Sequence, residues 1–261
     1  MFIRSFRLKN ILFGTIVFLL TVAIGLNVFS AVMTVRTSAE PMDAAPPSEE
    51  GGDKIVYLTF DDGPSVVTAD ILDLLQEENI PATFFVIGAT TDRGKMLYQR
   101  MVDEGHSIGL HSYSHKYKEI YANADAYLAD FERLQNHLQE IVGDTPKIFR
   151  FPGGSNNSNA DASTLAKVKE ITAEQGYVFF DWNALAKDDK ATPTPAEKMF
   201  KNIVKSGGDD DRILILMHDD ALRTTAVDCI KMLIDYYTEK GYRFEALKED
   251  TPPIQFKSRK F

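Results

Sequence analysis

Residues 55–65 read IVYLTFDDGPS. Residues 55–60 have the composition of an apolar strand, which runs straight into two adjacent carboxylates, Asp61 and Asp62. Gly63 and Pro64 then force a turn. Two carboxylates at the mouth of a buried strand repel each other, and a cation is the usual way to offset that repulsion. A single aspartate there would read as an Asx turn closing the strand exit. For the pair, the choice rests on what the downstream chain brings to the same place.

Downstream, strand and helix patterns alternate. Strand patterns fall at 55–60, 82–87, 107–110, 148–151, 177–180, 213–217 and 243–246. Helical patterns fall at 69–78, 95–104, 124–142, 162–175, 195–205 and 226–240. Thr68 is placed to cap the first helix, Thr194 precedes Pro195 in an N-cap pattern, and Gly143, Gly176 and Gly241 follow helices as C-terminal stops. The alternation predicts an α/β domain over residues 54–261, a parallel sheet with helices outside it. Seven strands fit an open sheet or a barrel.

On this reading the reactive side chains gather. Asp61 and Asp62 follow the first strand, and His111 and His115 follow the third. Arg150 lies in the fourth, just before the turn Pro152-Gly153-Gly154. Asp181 and Trp182 follow the fifth, and His218 follows the sixth. All lie at C-terminal strand ends, the rim where parallel α/β folds build their sites. Chance would scatter them over both rims.

His111 and His115 stand four apart in HSYSH, a spacing that on a helical turn puts both imidazoles on one face. With Asp62 they offer two nitrogens and one oxygen, the donor set of an open catalytic metal site. Asp61, left free beside them, suits a general base. Arg150, in the apolar run FRFP, is either exposed at a strand edge or buried and paired with Asp61 or Asp181. His218 ends the run ILILM and is placed to carry a proton, although a lone histidine there is more often structural. By themselves Trp182 and Leu216 read as core. His106, His137, Asp219, Asp220 and residues 209–211 read as structural or solvated groups.

Upstream, residues 1–10 are basic, and residues 11–35 form 25 consecutive positions without a charge. About 20 apolar residues span a bilayer as a helix. This stretch is longer than the apolar region of an ordinary signal peptide, so it reads as an uncleaved transmembrane signal anchor, with cleavage and secretion as the alternative. The basic flank predicts a cytoplasmic head and an exported domain at the cell membrane. Residues 36–53, rich in proline, glycine and acids, read as a disordered tether.

The net charge is −9. The first 37 residues carry four basic and no acidic side chains, so the remainder holds 25 basic against 38 acidic. That balance argues against nucleic acid or anionic lipid as a partner of the domain and leaves a neutral or cationic polymer open. The lone Cys229 excludes an intrachain disulfide and any cysteine-based metal site.

Five short motifs, TFDDGP (59–64), HSYSH (111–115), RFPGG (150–154), DW (181–182) and LMH (216–218), occur in an order that resembles the polysaccharide deacetylase family (NodB homology domain). The likeness covers about residues 54–247. It implies a distorted (β/α)7-type barrel with parallel strands, and a divalent metal, usually Zn2+, with Co2+, Ni2+ or Mn2+ as alternatives. It implies hydrolysis of N-acetyl groups on an amino-sugar polymer such as peptidoglycan or a chitin-like glycan; apart from the resemblance, a monomer is expected. An O-acetyl esterase and an inactive glycan-binding homologue are the other readings. Carried over, the resemblance makes Asp62, His111 and His115 the metal ligands. Asp61 is the base tethered by Arg150, and His218 is the acid oriented by Asp181. Trp182 and Leu216 wall the acetyl pocket. Two positions depart from the family pattern. Gly153 stands where a tyrosine is frequent, which keeps the backbone N–H and loses the ring. Phe179 stands where the fourth motif often carries another aspartate.

Overall fold

The computed structural model describes residues 54–143 and 147–257. The strands are β1 (Ile55–Asp61), β2 (Thr83–Ile87), β3 (Ser107–Ser112), β4 (Ile148–Phe149), β5 (Val178–Phe179), β6 (Ala184–Leu185), β7 (Arg212–His218) and β8 (Arg243–Phe244). The helices, numbered here among the described residues, are α1 (Thr68–Glu77), α2 (Asp92–Asp103), α3 (Tyr117–Ile120), α4 (Ala124–Val142), α5 (Ala162–Glu174), α6 (Ala196–Gly207) and α7 (Ala226–Glu239).

Every strand pairing is parallel. The order is β5-β4-β3-β2-β1-β7-β6, and β8 pairs with the first two residues of β1 before β2 takes over that edge. This is a curled, open sheet with β5 and β6 at its edges, so the expected barrel does not close by hydrogen bonds. The sequence reading counted seven strands; β6 is the eighth, and its two residues are too few to give a period-two pattern.

Side-chain parity decides what faces inward. Along β1, Val56, Leu58 and Phe60 join the large core beneath the helices, while Ile55 and Tyr57 join a smaller cluster on the concave face with Phe85, Ile148, Phe180, Leu214 and Leu247. Alternation then carries Thr59 and Asp61 to the concave side. On β3, Ile108 and Leu110 lie in the outer core, so His111 faces in. On β7, Ile213, Ile215 and Met217 lie outside, so Leu214, Leu216 and His218 face in. Gly109 lies against the Phe85 ring, where a Cβ would collide with it. Register aligns the ends: Asp61 pairs with His218 on one side and with Phe85 on the other.

The helix ends differ in detail from expectation. Thr68 opens α1 but does not cap it; its hydroxyl goes to Asp219. The α6 helix starts at Ala196 with Pro195 as the flanking residue, one position later than the Thr194 pattern predicts. Side-chain caps come instead from Thr91 on α2 and Asn123 on α4. Gly143 ends α4 in the left-handed region, as its position implied. Among the described residues no helix is long and apolar enough to cross a membrane. The expected head, anchor and tether at residues 1–53 lie outside the described residues.

Candidate active site and metal centre

A cavity of 510 Å³ opens at the C-terminal rim, lined by Asp61, Asp62, His111, His115, Gly153, Trp182, Leu216 and His218 among others. Eight of the ten residues given a role by the resemblance therefore share one space. Trp182 and Leu216 are pocket wall and not only core. Arg150 and Asp181 lie behind the wall, both fully buried.

Asp61 ends β1 on the concave face and is 4% exposed. Its Oδ1 accepts a hydrogen bond from Arg150 Nη1 at 2.8 Å. The guanidinium also donates to Thr59 Oγ1 at 2.7 Å and to the carbonyls of Phe180 and Asp181 at 3.1 and 3.2 Å, and it lies over the Phe85 ring at 4.2 Å. Of the alternatives left open for Arg150, the buried pair with Asp61 is the one that forms. A buried guanidinium with these acceptors holds one oxygen of Asp61 and leaves Oδ2 facing the cavity side, 3.8 Å from His111 Nε2.

Asp62 leaves the strand in the left-handed region, at φ 75°. That turn sends its side chain toward the two histidines. Its Oδ1 is buried without a hydrogen-bond donor yet stands 3.4 Å from His111 Nε2 and 3.1 Å from His115 Nε2. Burial works against the ionised form. The positive charge that His111, His115 and His218 carry when protonated nevertheless holds the carboxyl well below the usual carboxylate range.

His111 Nδ1 is 2.9 Å from the Arg150 carbonyl, a contact only Nδ1–H can satisfy, so in the neutral imidazole Nε2 turns its lone pair toward Asp62. His111 belongs to β3, and His115 follows in a turn at φ 53°. The two rings are therefore brought together, centroids 5.3 Å apart, by a strand exit and not by the expected helical turn. Asp130 on α4 fixes that exit. Its carboxylate accepts from Ser112 Oγ at 2.6 Å and from the backbone N–H of Tyr113 and Ser114, and Ser112 Oγ in turn accepts from His115 N.

These three residues are a group able to hold a metal ion, with donor atoms all within 4.8 Å of one another. An orphaned buried carboxylate oxygen facing two imidazole Nε2 atoms fits a divalent cation, and without one Asp62 Oδ1 is left unpaired.

On the far wall, His218 Nδ1 lies 2.8 Å from Asp188 Oδ1, and His218 N donates to Asp188 Oδ2 at 2.9 Å. Burial alone would pull the imidazole down. The hydrogen bond and charge of Asp188, then the charges of Asp61 and Asp62, more than offset this and push it up to about 9. Asp188 thus favours the protonated form of an imidazole that faces the cavity.

The polysaccharide deacetylase family profile matches residues 48–173. A peptidoglycan-N-acetylglucosamine deacetylase of Bacillus cereus is 31% identical over 222 residues, which cover 82% of this chain and 78% of that protein. The chain belongs to the polysaccharide deacetylase family. Among solved structures, the catalytic domain of a peptidoglycan N-acetylglucosamine deacetylase from Eubacterium rectale superposes with a TM-score of 0.75 at 29% identity, covering 81% of this chain and 96% of that one. A family 4 acetyl xylan esterase from Clostridium thermocellum in complex with a cobalt ion superposes with a TM-score of 0.60 at 30% identity, covering 74% and 88%.

In this polysaccharide deacetylase one expected contact is absent. Asp181 does not orient His218. Its carboxylate accepts from Ser155 N at 2.8 Å, Ser155 Oγ at 2.6 Å and Phe256 N at 2.7 Å, so it ties the 152–155 loop to the C-terminal segment. Asp188, three residues past β6, takes the place beside His218. The short apolar run Ala184-Leu185-Ala186 ahead of it was the available signal. Asp219, expected to be solvated, is fully buried and accepts from Thr68 Oγ1 at 2.7 Å and Ser65 Oγ at 3.3 Å. His106 and His137 are structural as read: His106 Nδ1 accepts from Ala82 N, and His137 Nε2 bonds the Ala89 carbonyl. Asp220 pairs with Arg223, and residues 209–211 are exposed. Cys229 is buried.

Proposed function

We propose that this protein removes N-acetyl groups from an amino-sugar polymer of the cell wall, releasing acetate. The observation that carries the proposal is the orphaned Oδ1 of Asp62 between two imidazole nitrogens, beside a second buried carboxylate held by Arg150. Asp62, His111 and His115 would hold the divalent cation. Zn2+ suits two imidazoles and one carboxylate best, and Co2+, Ni2+ and Mn2+ accept the same donors. Such a cation supplies a Lewis acid and lowers the pKa of water toward about 7.

Asp61 acts as general base. With Oδ1 fixed by Arg150, its other oxygen takes a proton from water as the water oxygen adds to the acetamide carbon. The Gly153 N–H has no hydrogen-bond partner among the described residues and lines the cavity, so it is free to donate to the developing oxyanion. His218, protonated through Asp188, gives its proton to the nitrogen as the carbon–nitrogen bond breaks. Acetate and a free amine leave. Trp182 and Leu216 supply an apolar wall for the acetyl methyl group.

The measurement is acetate release from N-acetylated wall glycan by the purified domain supplied with Zn2+. Release should stop on chelation and in Asp61→Asn; release that persists in either case sinks the reading. The similarity to an acetyl xylan esterase favours a second reading, cleavage of O-acetyl esters by the same groups. Parallel assays on acetyl xylan and N-acetylglucosamine oligomers separate the two. We further infer a single-pass anchor at residues 11–35, a tether at 36–53 and a monomeric catalytic domain outside the cell. The uncharged run and its basic flank support this arrangement. Protease shaving of intact cells should remove the domain; protection in intact cells with cleavage only after lysis would contradict it.

A further inference from the structure

Gly153 is the residue of the 152–155 loop that lines the cavity, and its backbone sits at φ 74°. A Cβ placed there would lie 3.2 Å from the Tyr117 hydroxyl oxygen, 3.3 Å from Tyr117 Cε1 and 3.3 Å from Asn157 Cβ. The space a side chain at position 153 would take is therefore already filled, and Tyr117 fills most of it. Tyr117 opens α3, two residues past His115, and its ring stands edge-on to the His115 imidazole at 5.2 Å. A second edge contact, to Tyr121 at 5.8 Å, backs it from behind. Tyr121 in turn donates to the Pro152 carbonyl at 2.7 Å, so ring and loop are locked to each other.

The Tyr117 hydroxyl lines the cavity and has no hydrogen-bond partner among the described residues. Tyr121, the buried ring behind it, spends its own hydroxyl on the Pro152 carbonyl, so it does not compete for the cavity. A rigidly held phenol with a free O–H on a wall that also presents Trp182 is suited to a ring bearing hydroxyls on its edges and C–H groups on its faces.

We propose that Tyr117 determines specificity in this site: it forms the cavity wall above Gly153, and its hydroxyl donates a hydrogen bond to an oxygen of the acetylated sugar. The proposal rests on the hydrolytic reading above for the identity of the ligand. It explains why position 153 carries no side chain. The glycine leaves room for a ring delivered from α3, which is held by the same turn that presents His115.

The test uses an N-acetylglucosamine tetramer as probe. Binding is titrated calorimetrically on Asp61→Asn and on Asp61→Asn/Tyr117→Phe. Steady-state kinetics are measured on the wild type and Tyr117→Phe. Losing one hydrogen bond to a neutral partner should weaken binding roughly threefold to tenfold and raise KM by a similar factor, with kcat moving less than about twofold. Gly153→Ala should cost more affinity in the wild type than in a Tyr117→Ala background, because the methyl meets the phenol only in the first. Equal binding and KM in Tyr117→Phe would overturn the proposal, and so would a fall in kcat alone. Equal cost of Gly153→Ala in both backgrounds would overturn the packing relation. If the wild type binds the tetramer through Tyr117 but releases no acetate, the hydrolytic reading fails and this one stands.

Discussion

The two walls of the cavity are held by different means. On one side Asp61, Asp62 and His111 stand at the ends of β1 and β3, strands buried from both faces and stitched to neighbours on either side. Their support is a buried guanidinium and the sheet itself. On the other side His218 ends β7, but its partner Asp188 sits beyond β6, a two-residue strand at the sheet edge. Asp61 is fixed by a central scaffold and His218 by an edge loop. Preorganisation is thus built into one half of the site, and adjustability is left to the other.

The largest effects should come from the central wall. Arg150→Met would leave Asp61 buried without its cation, a change that costs about 3–5 kcal/mol when a buried pair loses one partner. Urea unfolding should show that loss together with loss of turnover. Asp61→Asn is nearly isosteric and should keep the fold while lowering kcat by roughly 10²–10⁴-fold. Should Arg150→Met prove as stable as the wild type, the central wall would not be the rigid one.

Next come two substitutions that separate the walls. In Asp188→Asn, His218 loses the charge that opposes burial, so its pKa should drop from about 9 toward or below the ordinary 6.5. The alkaline limb of kcat against pH should move down with it, because the acid form is lost earlier. A cation at Asp62 would lower His218 in both proteins, so the difference between them is what matters. Asp181→Asn should leave that limb in place. It removes an acceptor used by Ser155 and Phe256, at a cost of about 1–3 kcal/mol in stability, and loosens the loop that carries Gly153. An alkaline limb that shifts in Asp181→Asn but not in Asp188→Asn would reverse the assignment made from the distances.

The same division marks what the amino-acid order revealed in advance. β1 and β7 are seven residues each, long enough for burial and parity to be read directly, and their terminal Asp61 and His218 were placed on one rim correctly. Asp62, His111 and His115 were grouped on residue chemistry, and they do converge. The turn that brings His115 round was misread as helical, because a four-residue spacing does not distinguish a helix from a left-handed turn. β6 carries no period, only the short apolar run at 184–186 points to Asp188 behind it, and the DW pair at 181–182 draws the role to Asp181. Asp130 acts across 15 or more positions of sequence, and no local pattern announces such a contact.

The floor between the walls responds to pH and not to a lost partner. Asp219 N donates to the Asp61 carbonyl at 2.7 Å, and a Cβ at Gly63 would collide with the Asp219 carboxylate. Asp219 therefore supports the β1 exit from beneath. Burial pushes its carboxyl up to about 7, against the hydrogen bonds from Thr68 and Ser65 that favour the ionised form. A raised folded-state pKa means the folded protein holds a proton that the unfolded chain has already lost. The stabilisation is full below the ordinary 3.8 and disappears as pH rises through about 7. Relative to Asp219→Asn, which cannot titrate, the wild-type urea midpoint should fall between about pH 4 and about pH 8. A flat difference over that interval would mean that the two hydroxyls, not burial, govern the carboxyl. The β1 exit would then rest on an ionised group tied to α1, making the floor as rigid as the central wall.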